Sequence, residues 1–255
     1  GAVCLAARAC ARSGAGLVTA AVPWGLHPVM EIKLTEIMTM PLPENVDGFL
    51  SEQALEVIGG LLEKMDVLAI GPGLGTHQET VKLVGEILKI VKVPCVIDAD
   101  GINAVAQSGF SLQEMLVGTV ITPHPGEMAR LMGCSVAEVQ ADRLGIARRA
   151  AGESGAVVVL KGAGTIVALP DGKTYINNTG NPGMASGGAG DVLTGIIAGL
   201  LAQGLSAENA AVAGVYLHGL AGDRAAGEKG RAGILAGDIT EVLPSCIKDA
   251  KGEPT

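Results

Sequence analysis

Asp191 is the sole carboxylate in residues 181–195, NPGMASGGAGDVLTG, a stretch with five glycines that runs straight into an apolar helix. Glycine in such quantity is destabilising unless the backbone must turn unusually or approach something closely. A lone Asp ahead of a helix is ordinarily an N-cap that satisfies a first-turn amide. A cap needs one suitable residue, however, and not glycine on every side. An open shell of N–H groups facing an anion does need it, because a helix N-terminus offers both unpaired donors and the positive end of the dipole. A carboxylate beside such a shell can take a proton from an attacking hydroxyl. The amides around Gly187, Gly188, Ala189 and Gly190 then steady a moving phosphoryl group. The chemistry suggested is phosphoryl transfer to an alcohol, with Asp191 as base.

Four further stretches fall where a strand gives way to a turn. LKGAGTI (160–166) presents Lys161 before two glycines. It is either an exposed lysine ahead of a tight turn or a local cation in a chain of net charge −8. TPHPGEM (122–128) reads as a helix start, with Pro125 in the first turn, Glu127 favourable to the dipole and His124 a loop residue. GPGLG (71–75) lacks the GxGxxG spacing, and no GxxxxGK[ST] occurs, so neither a dinucleotide fingerprint nor a P-loop is present. DADGINA (98–104) places Asp98 and Asp100 on one side if the strand persists that far. Such a pair could hold Mg2+ through waters; equally, Asp98 could anchor the loop and Asp100 cap the next helix. His27 and His77 read as loop residues, and no His, Cys and carboxylate cluster has transition-metal spacing.

The GAGD run resembles the glycine-rich signature of ribokinase-like kinases. More narrowly, NNTGNPGMASGGAGDVLTGIIAGLLAQG followed by AAVAGVYLHGLAGD resembles the ADP/ATP-dependent NAD(P)H-hydrate dehydratases. TPHPGEMARL and LKGAGTIV match motifs of the same family in the same order, so the resemblance runs over nearly the whole chain. It implies a lyase that uses ADP or ATP, with Mg2+, to return the S-epimer of hydrated NADH or NADPH to the reduced cofactor. Asp191 is the implied base. Lys161, Gly162, Ala163, Gly164 and Thr165 are implied to line the adenine nucleotide, together with Gly187–Gly190. Ala15, Gly75 and His124 are implied to border the nicotinamide substrate, and His218 to pack within a helix on the nucleotide side. The sequence departs from the family pattern at Gly101, usually a small apolar residue there. It departs again at Ala189, often Ser, where a hydroxyl contact to phosphate is lost. Two other functions suit the same motifs: a small-molecule kinase of a vitamin precursor, and a non-catalytic nucleotide sensor, which would have no need of the base.

These residues must be carried by strands and helices in alternation. Apolar strands are expected over 16–23, 36–43, 66–75, 94–101, 118–127 and 156–162, with helices over the opening residues, 51–65, 79–91, 102–108, 125–132 and 138–151. A hairpin over 165–177 turns at Pro170-Asp171-Gly172; helices 191–204 and 206–226 and a tail of one or two helices follow. Strand and helix in turn, with continuously apolar strands, predict a three-layer α/β/α domain with a mostly parallel central sheet. Ligands bind such sheets beyond the carboxyl ends of the strands, which is where the unusual residues lie. With no linker or repeat, residues 1–255 read as one domain, which the resemblance implies is of ribokinase-like type.

Composition narrows the rest. The aromatic residues are Trp24, Phe49, Phe110, Tyr175 and Tyr216, too few for stacking platforms, and the net charge of −8 disfavours nucleic acid as a partner. Cys4, Cys10, Cys95, Cys134 and Cys246 are odd in number with no CxxC pair, which reads as reduced thiols of a cytoplasmic protein. No apolar run approaches a membrane span. The sequence opens in mid-helix without Met or cap, which leads us to expect something upstream of Gly1, and the resemblance implies that it is a first strand and a glycine-containing loop. The resemblance adds an epimerase domain upstream or an epimerase as a separate partner, and a homo-oligomer, often a homotetramer.

Overall fold

A computed structural model describes residues 1–115 and 118–252. The domain reading of 1–255 therefore includes residues 116, 117 and 253–255, which lie outside the described ones. The central sheet has six strands in sequence order: β3 (Leu68–Ile70), β4 (Cys95–Ile97), β5 (Val120–Ile121), β6 (Val157–Leu160), β7 (Ile166–Ala168) and β8 (Thr174–Ile176). Pairing is parallel from β3 to β6 and antiparallel at β7 and β8. The hairpin between the last two turns where expected, with Gly172 N donating to Leu169 O at 3.0 Å.

Right-handed crossovers between parallel strands laid down in one direction put every connecting helix on the same face. That face carries α4 (Gln78–Ile90), α5 (Asp100–Ser108), α6 (Pro125–Met132), α7 (Val136–Ala141) and α8 (Arg143–Ser154). The other face is covered from the two ends of the sequence, by α1 (Ala2–Arg12), α9 (Ala189–Ala202), α10 (Ala207–Lys229) and α11 (Ala236–Lys251). Strand residues alternate between the two cores as the pleat requires. Val158 and Leu160 enter the first core, and Val157 and Val159 the second. A smaller parallel pair, β1 (Thr19–Pro23) with β2 (Met38–Leu42), stands beside this sheet. β1 forms a third cluster with α1 and α2 (His27–Lys33), while Leu42 of β2 and α3 (Ala54–Leu62) join the first core.

Three local expectations change. The helix expected over 138–151 is two, because Asp142 leaves helical geometry (φ −140°) and its side chain accepts from Gly145 N at 2.9 Å, capping α8. His27 opens α2 with Pro28 in the first turn, rather than lying in a loop. His77 is the N-cap of α4, its ring accepting from Glu79 N at 3.3 Å.

Close helix packing fixes where α9 points. A Cβ on Gly195 would lie 2.0 Å from Ala6 O, and one on Gly199 2.6 Å from Cys10 O, so α9 lies directly on α1 and parallel to it. At the far end Gln203 Nε2 donates to Ser13 O at 2.7 Å.

Candidate active site

The N-terminus of α9 lies at the carboxyl edge of the sheet. Gly188 is its N-cap with φ +93°, a conformation that favours glycine, and a Cβ there would meet Leu5 Cδ1 at 2.5 Å. The first bond of the helix near Asp191 runs from Val192 N to Gly188 O at 3.1 Å, so the Gly190 and Asp191 amides precede the intrahelical ladder. Asp191, in the first turn, is half-buried. Loss of water around it, with repulsion from Asp98 second and only partly offset by Lys161, pushes its pKa up to about 6.

Lys161 follows β6 and Asp98 follows β4, so parallel strands bring both to the same edge. Lys161 Nζ donates to Asp98 Oδ1 at 2.5 Å and lies 3.8 Å from Glu127 Oε2. Asp98 Oδ2 accepts from Thr194 Oγ1 at 2.7 Å, one turn along α9 from Asp191. A Cβ on Gly190 would be 3.4 Å from Lys161 Nζ, so glycine there leaves the lysine its place beside the helix end. The cluster thus joins an ionisable base, a cation and a helix N-terminus.

Asp98 and Asp100 bond to different partners, although both lie near enough to Asp191 to raise its pKa. The strand ends at Ile97, and Ala99 between the two carboxylates has φ +47°, a strained value for a residue with a Cβ. Both oxygens of Asp98 are engaged as described, while Asp100 Oδ2 accepts from Gly75 N at 2.9 Å and Oδ1 from Asn103 Nδ2 at 3.2 Å. Asp100 is also the first residue of α5 rather than its cap, since Ala99 holds that position. Among the described residues no three His, Cys, Asp or Glu side chains come together as a metal-binding group. The close approach that permits this turn explains two glycines: a Cβ on Gly71 would fall 1.7 Å from Asp98 O, and one on Gly101 2.9 Å from Ile70 O. Gly101, a departure from the family pattern, is therefore a packing residue.

Gly75 adopts φ +75°, and its Cβ would be 2.7 Å from Phe49 Cε1, so it lies between Phe49 and Asp100. His124 caps α6: Nδ1 accepts from Gly126 N at 2.9 Å and Glu127 N at 3.3 Å, which leaves the Nε2 proton facing Glu127 Oε1, 3.3 Å away. Its side chain is half-exposed, and buried Glu127 links it to Lys161. In the 161–165 turn, Gly162 and Gly164 have φ +141° and +63°, and Thr165 Oγ1 donates to Gly162 O at 3.0 Å. His218 in α10 has a buried Nε2 without a hydrogen-bond partner among the described residues, and burial holds its pKa down to about 4, so the ring is neutral.

Ala15 is not part of this cluster. It follows α1, whose end packs against Gln203 at the other end of α9, about 18 Å along the helix from Asp191 at 1.5 Å per residue. The resemblance implied a place beside the substrate, yet the glycines on either side of Ala15 close α1 and lead into β1. Sequence reasoning gave Glu127 only a helix-dipole role and did not single out Thr194 or Arg143. Signals existed for two of them: Glu127 sits three residues after His124, the spacing of a capping box, and Thr194 lies one helical turn after Asp191.

Comparison with known proteins shows the family. A family model described as NAD(P)H-hydrate dehydratase matches residues 1–245. The chain is 53% identical over 253 residues to the bifunctional NAD(P)H-hydrate repair enzyme of Moorella thermoacetica, covering 99% of this chain and 48% of that protein. It is 43% identical over 204 residues to the ADP-dependent (S)-NAD(P)H-hydrate dehydratase of Neisseria meningitidis serogroup B, covering 78% and 69%. Among solved structures, the ADP/ATP-dependent NAD(P)H-hydrate dehydratase from Bacillus subtilis, co-crystallised with ATP and Mg2+, superposes with a TM-score of 0.79 at 29% identity, covering 97% of this chain and 86% of that one. The chain spans about half the length of the bifunctional relatives it matches.

Proposed function

The chain belongs to the NAD(P)H-hydrate dehydratase family, of ribokinase-like fold, and from that premise we propose that it repairs hydrated NADH or NADPH at the expense of ADP or ATP. The observation that carries the reading is Asp191 beside Lys161 at a glycine-lined helix N-terminus. In this reading Asp191 takes the proton of the S-epimer's ring hydroxyl. The hydroxyl oxygen then forms a bond to the terminal phosphorus of the nucleotide, whose bridging P–O bond breaks to release AMP from ADP, or ADP from ATP. The Gly187–Gly190 backbone and Lys161 hold the phosphoryl oxygens as charge moves between them. The C–O bond next breaks with its electron pair on phosphate, driven by the lone pair of the ring nitrogen. Loss of a proton from the neighbouring ring carbon restores the reduced nicotinamide. Holding hydroxyl, base and phosphate together supplies much of the acceleration, so the base needs no extreme pKa.

Lys161, Gly162, Ala163, Gly164 and Thr165 are assigned to the nucleotide, and Gly75 and His124 to the nicotinamide side; Ala15 is dropped. Mg2+ is not assigned to side chains. The oxygens of Asp98 and Asp100 are already taken by Lys161, Thr194, Gly75 and Asn103, and Mg2+ suits one or two carboxylates plus substrate phosphates better than a cage. The ion would arrive with the nucleotide. Residues 1–255 are taken as one catalytic unit, supported by α1 packing on α9 from opposite ends of the sequence. Free cysteines support a cytoplasmic setting, and no helix of the described residues is long and apolar enough to cross a membrane. A homotetramer, and an epimerase fused upstream or acting separately, complete the proposal.

The test is recovery of the reduced-nicotinamide absorbance from hydrated NADH with Mg2+ and either nucleotide. Recovery with one nucleotide and stoichiometric phosphate release identifies the donor. Absence of recovery, with the nucleotide bound and instead consumed on another alcohol, overturns the reading in favour of a kinase.

A further inference from the structure

We propose that Arg143 is a positioning residue that turns two loop amides, Gly162 N–H and Gly164 N–H, outward to receive the nucleotide; this rests on the nucleotide reading of residues 161–165. Arg143 is the first residue of α8, a position where a cation opposes the helix dipole. Nothing local favours it there. Its guanidinium donates instead to the loop after β6: to Ala163 O at 2.6 Å, Leu160 O at 3.3 Å and Lys161 O at 3.3 Å. Among the described residues its partners are carbonyl oxygens and no carboxylate. Gly162 makes the approach possible, because a Cβ there would lie 2.9 Å from Arg143 Nη2.

Peptide planarity carries the consequence. No peptide bond here is cis, so in each unit the N–H points opposite to the C=O. With Lys161 O and Ala163 O drawn to Arg143, the Gly162 and Gly164 amides face away from it. Among the described residues neither of these amides donates to any group, whereas Lys161 N, one residue earlier, donates to Pro123 O at 2.8 Å. The positive φ of Gly162 and Gly164 belongs to the same arrangement. Arg143 thus holds a pair of free donors next to Lys161 and places a positive charge beneath them that makes no ion pair among the described residues. Both features suit a ligand bearing phosphate oxygens.

The experiment compares Arg143→Ala and Arg143→Lys with the wild type, measuring KM for nucleotide, KM for hydrated NADH, kcat and thermal midpoint, with nucleotide affinity measured directly by calorimetry. Arg143→Ala is expected to raise the nucleotide KM and Kd by about tenfold or more, on the scale of losing charge-assisted hydrogen bonds, while the hydrate KM stays within about twofold. Arg143→Lys recovers part of the loss, since an ammonium cannot span three carbonyls. Added methylguanidinium restores affinity to Arg143→Ala. Unchanged nucleotide affinity in a folded Arg143→Ala overturns the proposal, as does a loss shared equally by both substrates without methylguanidinium rescue. If the wild type binds nucleotide but does not dehydrate the hydrate, the functional reading fails and calorimetry still decides the role of Arg143. A wild type that binds no nucleotide overturns both.

Discussion

Lys161 Nζ stands 2.5 Å from Asp98 Oδ1 at the ends of two strands separated in the sheet by β5, and Asp98 is 1% exposed. The same carboxylate accepts from Thr194 on α9. One buried charge therefore ties Lys161 to the helix that carries Asp191. Removing a single partner from a buried pair leaves an uncompensated charge and costs about 3–5 kcal/mol. Lys161→Met is expected to destabilise by that order in urea unfolding, and Lys161→Met with Asp98→Asn to recover a large part of it. Equal stability of the single and double variants would show that the pair is not coupled.

Asp191→Asn keeps the shape of the side chain and removes the base. Turnover is expected to fall by about 10²–10⁴, the range for loss of a positioned acid–base group. Nucleotide affinity measured by calorimetry should stay within a few-fold. Normal turnover in this variant would sink the assignment.

Activity and stability should respond to pH in opposite directions. The base works when ionised, so turnover is expected to decline as pH falls through about 6. For stability, the folded pKa lies above the ordinary 3.8, so the folded chain binds more protons than the unfolded chain between those values. The contribution of Asp191 is thus most favourable below the unfolded pKa and is lost as pH rises through about 6. Asp191→Asn is accordingly expected to melt higher than the wild type well above pH 6, with the difference vanishing in acid. Thermal melts across the pH range check the sign.

Gly195→Ala would place a methyl carbon 2.0 Å from Ala6 O, in backbone that cannot yield without moving α1 off α9. A loss of at least about 1–3 kcal/mol is expected, the usual cost of overpacking. Because Asp191 sits on the same helix, turnover should fall along with the denaturation midpoint. Gly237→Ala in α11, with nothing within 4 Å of the added carbon, serves as the tolerant control.

Ala15→Ser tests the correction to the site. Its place at the opposite end of α9 from Asp191 predicts a change of less than about twofold in the hydrate KM, well under the tenfold that 1.4 kcal/mol represents. A larger effect measured in steady-state kinetics would return Ala15 to the substrate.

The sequence by itself determined the layer order, the parallel sheet and the hairpin at Pro170–Gly172, and it singled out Asp191 and Lys161, which the structure brings to one edge of the sheet. Each rests on local signals: apolar periodicity, turn chemistry, and glycine used where a single cap would suffice. Family resemblance carried the chemistry further, but it misplaced Ala15, because a glycine-flanked stretch after a helix looks the same whether it closes that helix or borders a ligand. Only the tertiary structure decided which carboxylates work together. Asp98 and Asp100 are two residues apart, yet the turn at Ala99 sends one to Lys161 and Thr194 and the other to Gly75 and Asn103. Arg143 was equally invisible, since its partners are backbone carbonyls in a loop 17 to 20 residues away. The pattern of apolar residues fixes which face each element buries, whereas contacts between distant polar groups depend on where the strands end and how the chain turns there.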